Sequence, residues 1–112
     1  PKVFSDDSLR KLIIEISSKR LGVTAVVDES NHVLGIVTDG DLRRMLQNVE
    51  SVSEITAKDI MSPNPKLIEE TEKAVNALQI MRDNNITSLL VMRNNDYIGV
   101  VHLHNILREG IF

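Results

Sequence analysis

The sequence predicts an α+β fold of two βαββα repeats packed about a pseudo-twofold axis. Three observations carry this. An amphipathic helical stripe occurs twice at a displacement of 65 residues, a pair of short β-branched strands follows each copy, and a proline-bearing stretch separates the two. A unit of this size cannot cover the apolar face of its own sheet, so two copies bury what one would expose.

Taken in order, Val3-Phe4 reads as a short opening strand. Leu9, Leu12, Ile13 and Ile16 then form a helical stripe, with Asp6 placed to cap it. Val23–Val27 and Val33–Val37 are apolar and β-branched, and Glu29-Ser30-Asn31 turns one into the other. The second strand runs straight into a helix marked by Leu42, Met45 and Leu46, which Thr38 or Asp39 can cap. Residues 47–66 form a connector in which Pro63 and Pro65 force an extended path. Lys66–Ile68 opens the second copy as a strand. Ala74, Ala77, Leu78 and Met81 repeat the helix with Thr71 in the capping place, and Ser88–Met92 and Tyr97–Val101 repeat the strands around the turn Asn94-Asn95-Asp96. The strands pair at a displacement of 64, Gly99 with Gly35 and Val101 with Val37, which places one extra residue of the first copy near Gly22. The domain reading is a first repeat over 1–50, a connector over 51–65 and a second repeat over 66–112.

Composition narrows the function. There is no cysteine, hence neither a disulfide framework nor thiolate chemistry. No apolar run approaches the roughly 18 residues of a membrane helix, and the polar start Pro1–Asp6 is no signal peptide, so a cytoplasmic protein without membrane contact is expected. A formal charge of −3 and an aromatic content of 3% leave neither a basic field nor a stacking platform for nucleic acid. With no cysteine nucleophile, no Ser-His-Asp set and no convincing metal site, the chain itself is not expected to catalyse.

The chemistry concentrates at Gly35-Ile36-Val37-Thr38-Asp39-Gly40-Asp41, where a strand turns into a helix. Free N–H groups at such a corner favour an anionic or hydroxyl-rich ligand. An ionised Asp41 has two acceptor oxygens for the adjacent hydroxyls of a ribose, and Thr38 can donate to a phosphate. On the corner alone, a helix cap at Thr38 and Asp39 with Asp41 in the solvated first turn accounts for the same residues.

The duplicated unit, the corner GIVTDGDL and the connector DIMSPNPKLI together resemble a tandem pair of cystathionine-β-synthase (CBS) domains, over nearly the whole chain. The resemblance implies ligand clefts at the repeat interface, commonly for adenosine nucleotides, and regulation of an attached enzyme, channel or transporter. The family's ligand motif falls on Gly35, Ile36, Val37, Thr38 and Asp41, with Asp39 beside them. In such pairs the corner of one repeat works with the entry segment of the other, which implies that Ile60, Met61, Ser62, Pro65, Lys66 and Leu67 wall the base, with Lys66 near the phosphate. The stretches LGVTAVVDESNHVLGIVTDGDLRR and GVVHLHNILREGIF are further similar to the C-terminal region of arabinose-5-phosphate isomerases, which make arabinose 5-phosphate for the lipopolysaccharide sugar Kdo. That resemblance implies an upstream sugar-isomerase domain on the same chain, absent here together with the connector expected before the first repeat. It implies no required cofactor. The expected effector is a nucleotide or nucleotide-sugar: AMP or ATP, or CMP-Kdo by the logic of end-product feedback.

The second corner departs from the motif. At the 64-residue displacement His102 stands for Thr38, His104 for Gly40 and Asn105 for Asp41. Asn keeps an acceptor without the charge that holds a diol strongly, so the second cleft is expected to be weaker or differently specialised. His102 and His104 either meet a phosphate or sugar carboxylate, best when protonated, or serve as one packed and one solvated ring. Chelation by His102-x-His104 lacks a third ligand at local spacing, and Asp39-Gly40-Asp41 lacks the pattern of a calcium loop. Arg43, Arg44 and Arg108 read as a solvated helix face within reach of a phosphate, and Asn85-Ile86-Thr87 as a turn into a strand. Two functions remain: a regulatory ligand-binding module, or a ligand-free oligomerisation scaffold, since CBS pairs often associate into flat dimers.

Overall fold

Each described strand pairs within its own half of the chain. The computed structural model describes residues 2–19, 22–48 and 55–109, and divides into two units, residues 1–65 and 66–112. In the first, β1 (Lys2–Phe4) lies parallel to β2 (Val23–Val27), which pairs antiparallel with β3 (Val33–Thr38). Helices α1 (Leu9–Lys19) and α2 (Asp39–Asn48) accompany this sheet, and Leu12, Val26 and Val37, all at 0% exposure, form the centre of a core with Val3, Leu9, Ile16 and Leu42. Truncating a leucine buried like Leu12 to alanine costs about 2–5 kcal/mol.

Residues expected to be an extended connector contain structure of their own. Helix α3 (Ala57–Ile60) is followed by β4 (Ser62–Pro63), which joins β3 as a fourth strand. Thr56 and Asp59 explain why a helical turn starts there: the Thr56 backbone N–H and hydroxyl both donate to Asp59 Oδ2, at 2.9 and 3.0 Å. These bonds, led by the backbone N–H, hold the Asp59 carboxyl below its ordinary pKa. The two prolines act only after that turn, with Asn64 between them at φ 57°. Residues 51–54 of the expected connector, 49–50 of the first repeat and 110–112 of the second lie outside the described residues.

The second unit repeats the plan: β5 (Leu67–Glu69), α4 (Ala74–Asn84), β6 (Ser88–Arg93), β7 (Asp96–His102) and α5 (Leu103–Glu109). Its sheet has three strands in the order β5-β6-β7. Ile68, Ala77, Met81, Leu89 and Ile106 form its core.

Three local expectations are corrected. Asp6 does not cap α1: Ser8 directly precedes the helix, and its Oγ accepts the Lys11 N–H at 3.2 Å, while the Asp6 carboxylate lies 3.5 Å from Lys58 Nζ. Thr71 likewise sits too early to cap α4, whose N-cap is Lys73, with no side-chain bond. The extra residue of the first half is not near Gly22. Val26 pairs with Gly35 and Val91 with Gly99, so β2 and β6 are still displaced by 65 and only the strands after the turn by 64. The surplus residue therefore lies in the first hairpin turn. There Asp28 Oδ1 accepts the N–H groups of Ser30 and His32, each at 2.9 Å, and the carboxyl is held below its ordinary pKa, chiefly by the bond from His32.

Candidate functional site

In the first unit the corner is a reciprocal cap. Thr38 ends β3, and its Oγ1 accepts the Asp41 N–H at 3.2 Å while its own N–H donates to Asp41 Oδ2 at 2.9 Å. This is a capping box spaced T-x-x-D, which satisfies two N–H groups at the start of α2. The other carboxylate oxygen, Asp41 Oδ1, meets Arg44 Nη2 at 2.6 Å. The Asp41 side chain is 15% exposed and that of Arg44 69%, so the carboxylate is anchored by the backbone on one side and faces an exposed guanidinium on the other. A diol could reach Oδ1 by displacing Arg44, leaving the cap in place. The cap and the ligand roles read from the sequence are therefore compatible on one side chain.

Asp39 is exposed at the first turn of α2. Its N–H donates to the Gly22 carbonyl at 2.9 Å, and a Cβ on Gly22 would fall 2.9 Å from Asp39 Oδ2. Gly22, at φ 70°, thus supplies both a left-handed backbone and room for the carboxylate. The sequence reading did not assign it a role in the corner; its signal was only a lone glycine before a strand.

The connector reaches this corner from the side. Gly35 pairs with Pro63 and Ile36 with Ser62, and Ile60 and Met61 pack against the first core. A Cβ on Gly35 would lie 2.7 Å from both Met61 Sδ and the Ser62 carbonyl oxygen, so the glycine of the motif is where the connector seats. Thr38, Asp39, Asp41, Ile60, Met61 and Ser62 thereby belong to one unit. Pro65 ends that unit, and Lys66 and Leu67, both exposed, open the second.

The second corner keeps the cap and changes its chemistry. The His102 N–H donates to Asn105 Oδ1 at 3.1 Å, as Thr38 does to Asp41, and His102 Nδ1 accepts the His104 N–H at 3.1 Å. That acceptor role places the neutral ring's proton on Nε2. The His102 and His104 rings stack with centroids 5.1 Å apart. Burial, and secondarily the charge of His104, push the His102 pKa down, which favours the neutral ring at the start of α5. Among the described residues no three His, Asp or Glu side chains converge on a metal site, and no helix is long and apolar enough to cross a membrane.

Two βαββα repeats, each with a capped strand-to-helix corner, define a tandem α+β repeat module. The CBS domain family model matches residues 1–48 and 57–111, and the chain belongs to that family. It is 38% identical over 111 residues to the arabinose 5-phosphate isomerase KdsD of Salmonella typhi, covering 99% of this chain and 34% of that protein. The chain thus spans about a third of the length of the curated relatives it matches. Two solved structures share the fold at low identity. CBSX2 in complex with AMP has a TM-score of 0.81 at 18% identity over 98% of this chain and 86% of that one; a CBS domain protein from Pyrobaculum aerophilum complexed with AMP has a TM-score of 0.83 at 20% identity over 96% and 88%.

Proposed function

We propose that this CBS pair is the regulatory module of a cytoplasmic arabinose-5-phosphate isomerase in Kdo and lipopolysaccharide biosynthesis, and that it senses a nucleotide or nucleotide-sugar. The observation that carries the reading is the first corner: a part-buried carboxylate at a helix N-terminus, its position set by the backbone and its second oxygen paired with an exposed arginine. Asp41 Oδ1 takes a ribose diol, Thr38 and the first turn of α2 take phosphate, and Met61 and Ser62 border the base, with Ile60, Pro65, Lys66 and Leu67 completing the wall. His102, His104 and Asn105 serve the second, weaker corner. The AMP complexes of similar fold favour AMP or ATP, and the pathway favours CMP-Kdo. An upstream sugar-isomerase domain receives the signal, through an effector that binds two arrangements of the module unequally.

Thermal-shift titration of the chain with AMP, ADP, ATP, CMP and CMP-Kdo tests this. A ligand at about a hundred times its dissociation constant adds roughly 2.7 kcal/mol. Asp41→Asn is the matched control: an amide at this position still caps its helix, as Asn105 does, yet lacks the charge. One responsive ligand, lost in Asp41→Asn, is the expected result. Silence across the panel from a folded chain overturns the ligand reading.

A second reading, oligomerisation, is favoured by exposed apolar residues on four helices: Ile14, Leu46, Val75 and Leu107. If no ligand binds and Ile14→Glu with Leu46→Glu lowers the mass in solution, the module is a scaffold that holds isomerase subunits together, as a dimer of CBS pairs.

A further inference from the structure

Arg44 lies folded back onto the first corner. Its Nη2 meets Asp41 Oδ1 at 2.6 Å, on the carboxylate whose other oxygen accepts the Thr38 N–H. The guanidinium also lies against Gly40: a Cβ there would fall 3.3 Å from Arg44 Nη1 and 3.7 Å from Nη2, and 3.7 Å from Thr38 Oγ1. The guanidinium and the Thr38 hydroxyl therefore border the same space above Gly40. Glycine weakens a helix, and in the first turn of α2 it gives the arginine room to lie there.

Two observations argue that the ion pair alone does not account for this arginine. First, the pair is weak where it stands. A cation near the start of a helix faces the positive end of the helix dipole, and the exposed Arg44 side chain is screened by solvent. Second, the internal repeat keeps the arginine and not its partner. At the 64-residue displacement Arg44 recurs as Arg108, whereas Asp41 becomes the uncharged Asn105, Gly40 becomes His104 and the neighbouring Arg43 becomes Leu107. What the two copies share at this place is a cation one helical turn from a strand-to-helix corner, with or without a carboxylate beside it.

We infer that Arg44 is a specificity-determining residue of the first corner: it occupies Asp41 Oδ1 in the ligand-free chain and exchanges that oxygen for the ligand's phosphate when a ribose diol displaces it. The inference rests on the nucleotide reading above. Rotation of the side chain is all the exchange requires, because the guanidinium already borders the Thr38 hydroxyl assigned to the phosphate. A phosphate offers the planar guanidinium a bidentate, more highly charged partner than one carboxylate oxygen. A nucleoside displaces Arg44 from Asp41 and offers it nothing in return. The same arginine thus favours nucleotides and opposes nucleosides, which is discrimination by a gain for one ligand and a loss for the other.

Calorimetric titration of the chain, Arg44→Gln and Arg44→Lys with each nucleotide of the panel above, and with adenosine and cytidine, tests this. In Arg44→Gln the responsive nucleotide is expected to bind on the order of tenfold more weakly, while its nucleoside binds no more weakly than before. Arg44→Lys, a point charge without the fork, is expected to fall between the two. Nucleotide affinity that Arg44→Gln leaves intact overturns the inference and leaves the nucleotide reading standing. Equal losses for nucleotide and nucleoside also overturn it, because Arg44 then only shapes the corner. Silence of the unsubstituted chain toward the whole panel refutes the nucleotide reading itself, and the inference falls with it.

Discussion

Gly35→Ala and Gly99→Ala place the same methyl at equivalent positions of the two repeats, with opposite expected outcomes. At Gly35 the added carbon lies 2.7 Å from Met61 Sδ and 2.7 Å from the Ser62 carbonyl oxygen, well inside the 3.4 Å at which ordinary contact begins. The methionine can rotate away, but the Ser62 carbonyl belongs to β4, whose path is set by pairing to Gly35 and Ile36 themselves. Overpacking of this kind costs about 1–3 kcal/mol. At Gly99 nothing lies within 4 Å, and neither glycine has a positive φ. Exchanging glycine for alanine there removes backbone freedom from the unfolded chain and gains about 0.5–1 kcal/mol. The two variants are thus separated by about 1.5–4 kcal/mol. At about 4 °C per kcal/mol for a chain this long, their midpoints differ by roughly 6–16 °C, with the unsubstituted chain between them. Thermal and urea unfolding read this directly. Midpoints within about 2 °C of each other, or in reversed order, would show that β4 is not seated on Gly35 and would refute the account of the glycine in the motif.

Further outcomes follow from the caps. Thr38→Ala removes the oxygen that accepts the Asp41 N–H and is expected to cost about 0.5–2 kcal/mol in urea unfolding, with Thr38→Ser recovering most of it. His102 has a folded-state pKa below its ordinary value. The folded chain therefore binds fewer protons than the unfolded one, and this contribution is complete above the ordinary pKa and lost as pH falls through it toward the lowered one. Urea midpoints should decline from pH 8 to pH 5.5, and His102→Thr, which restores the residue of the first corner, should flatten that decline. Asn85 closes α4 in the left-handed region at φ 54° and ψ 44°; Asn85→Ala is expected to lose about 1 kcal/mol and Asn85→Gly to lose nothing.

Whether the corner was a cap or a ligand site could not be settled from residue types, because the same groups serve both ends. Thr38-x-x-Asp41 and Thr56-x-x-Asp59 share the spacing of a capping box, yet only the first stands at a strand-to-helix corner of the ligand motif. The structure shows the cap formed in both and leaves Asp41 one oxygen whose partner is an exposed arginine. Arg44 lies on the solvated face that its sequence position predicts, and its pairing with Asp41 depends on a rotamer that spacing alone does not select.

The sequence by itself determined the repeat, the order of helices and strands within each copy, the turns and the corner motif, since each is written in periodicities and turn residues a few positions apart. The tertiary structure decided where the surplus residue of the first half falls. Val23-Thr24-Ala25-Val26-Val27 is buried throughout, so its pattern is the same after a one-residue slip, and only the ladder to β3 distinguishes the registers. It also decided the destination of the connector. The pairing of Ser62-Pro63 with Gly35-Ile36 joins segments far apart in the chain, and its determinants are the space above one glycine and the carbonyls of Ser5 and Asp7. None of these leaves a periodic trace in a sequence, because a close approach is a property of two segments at once.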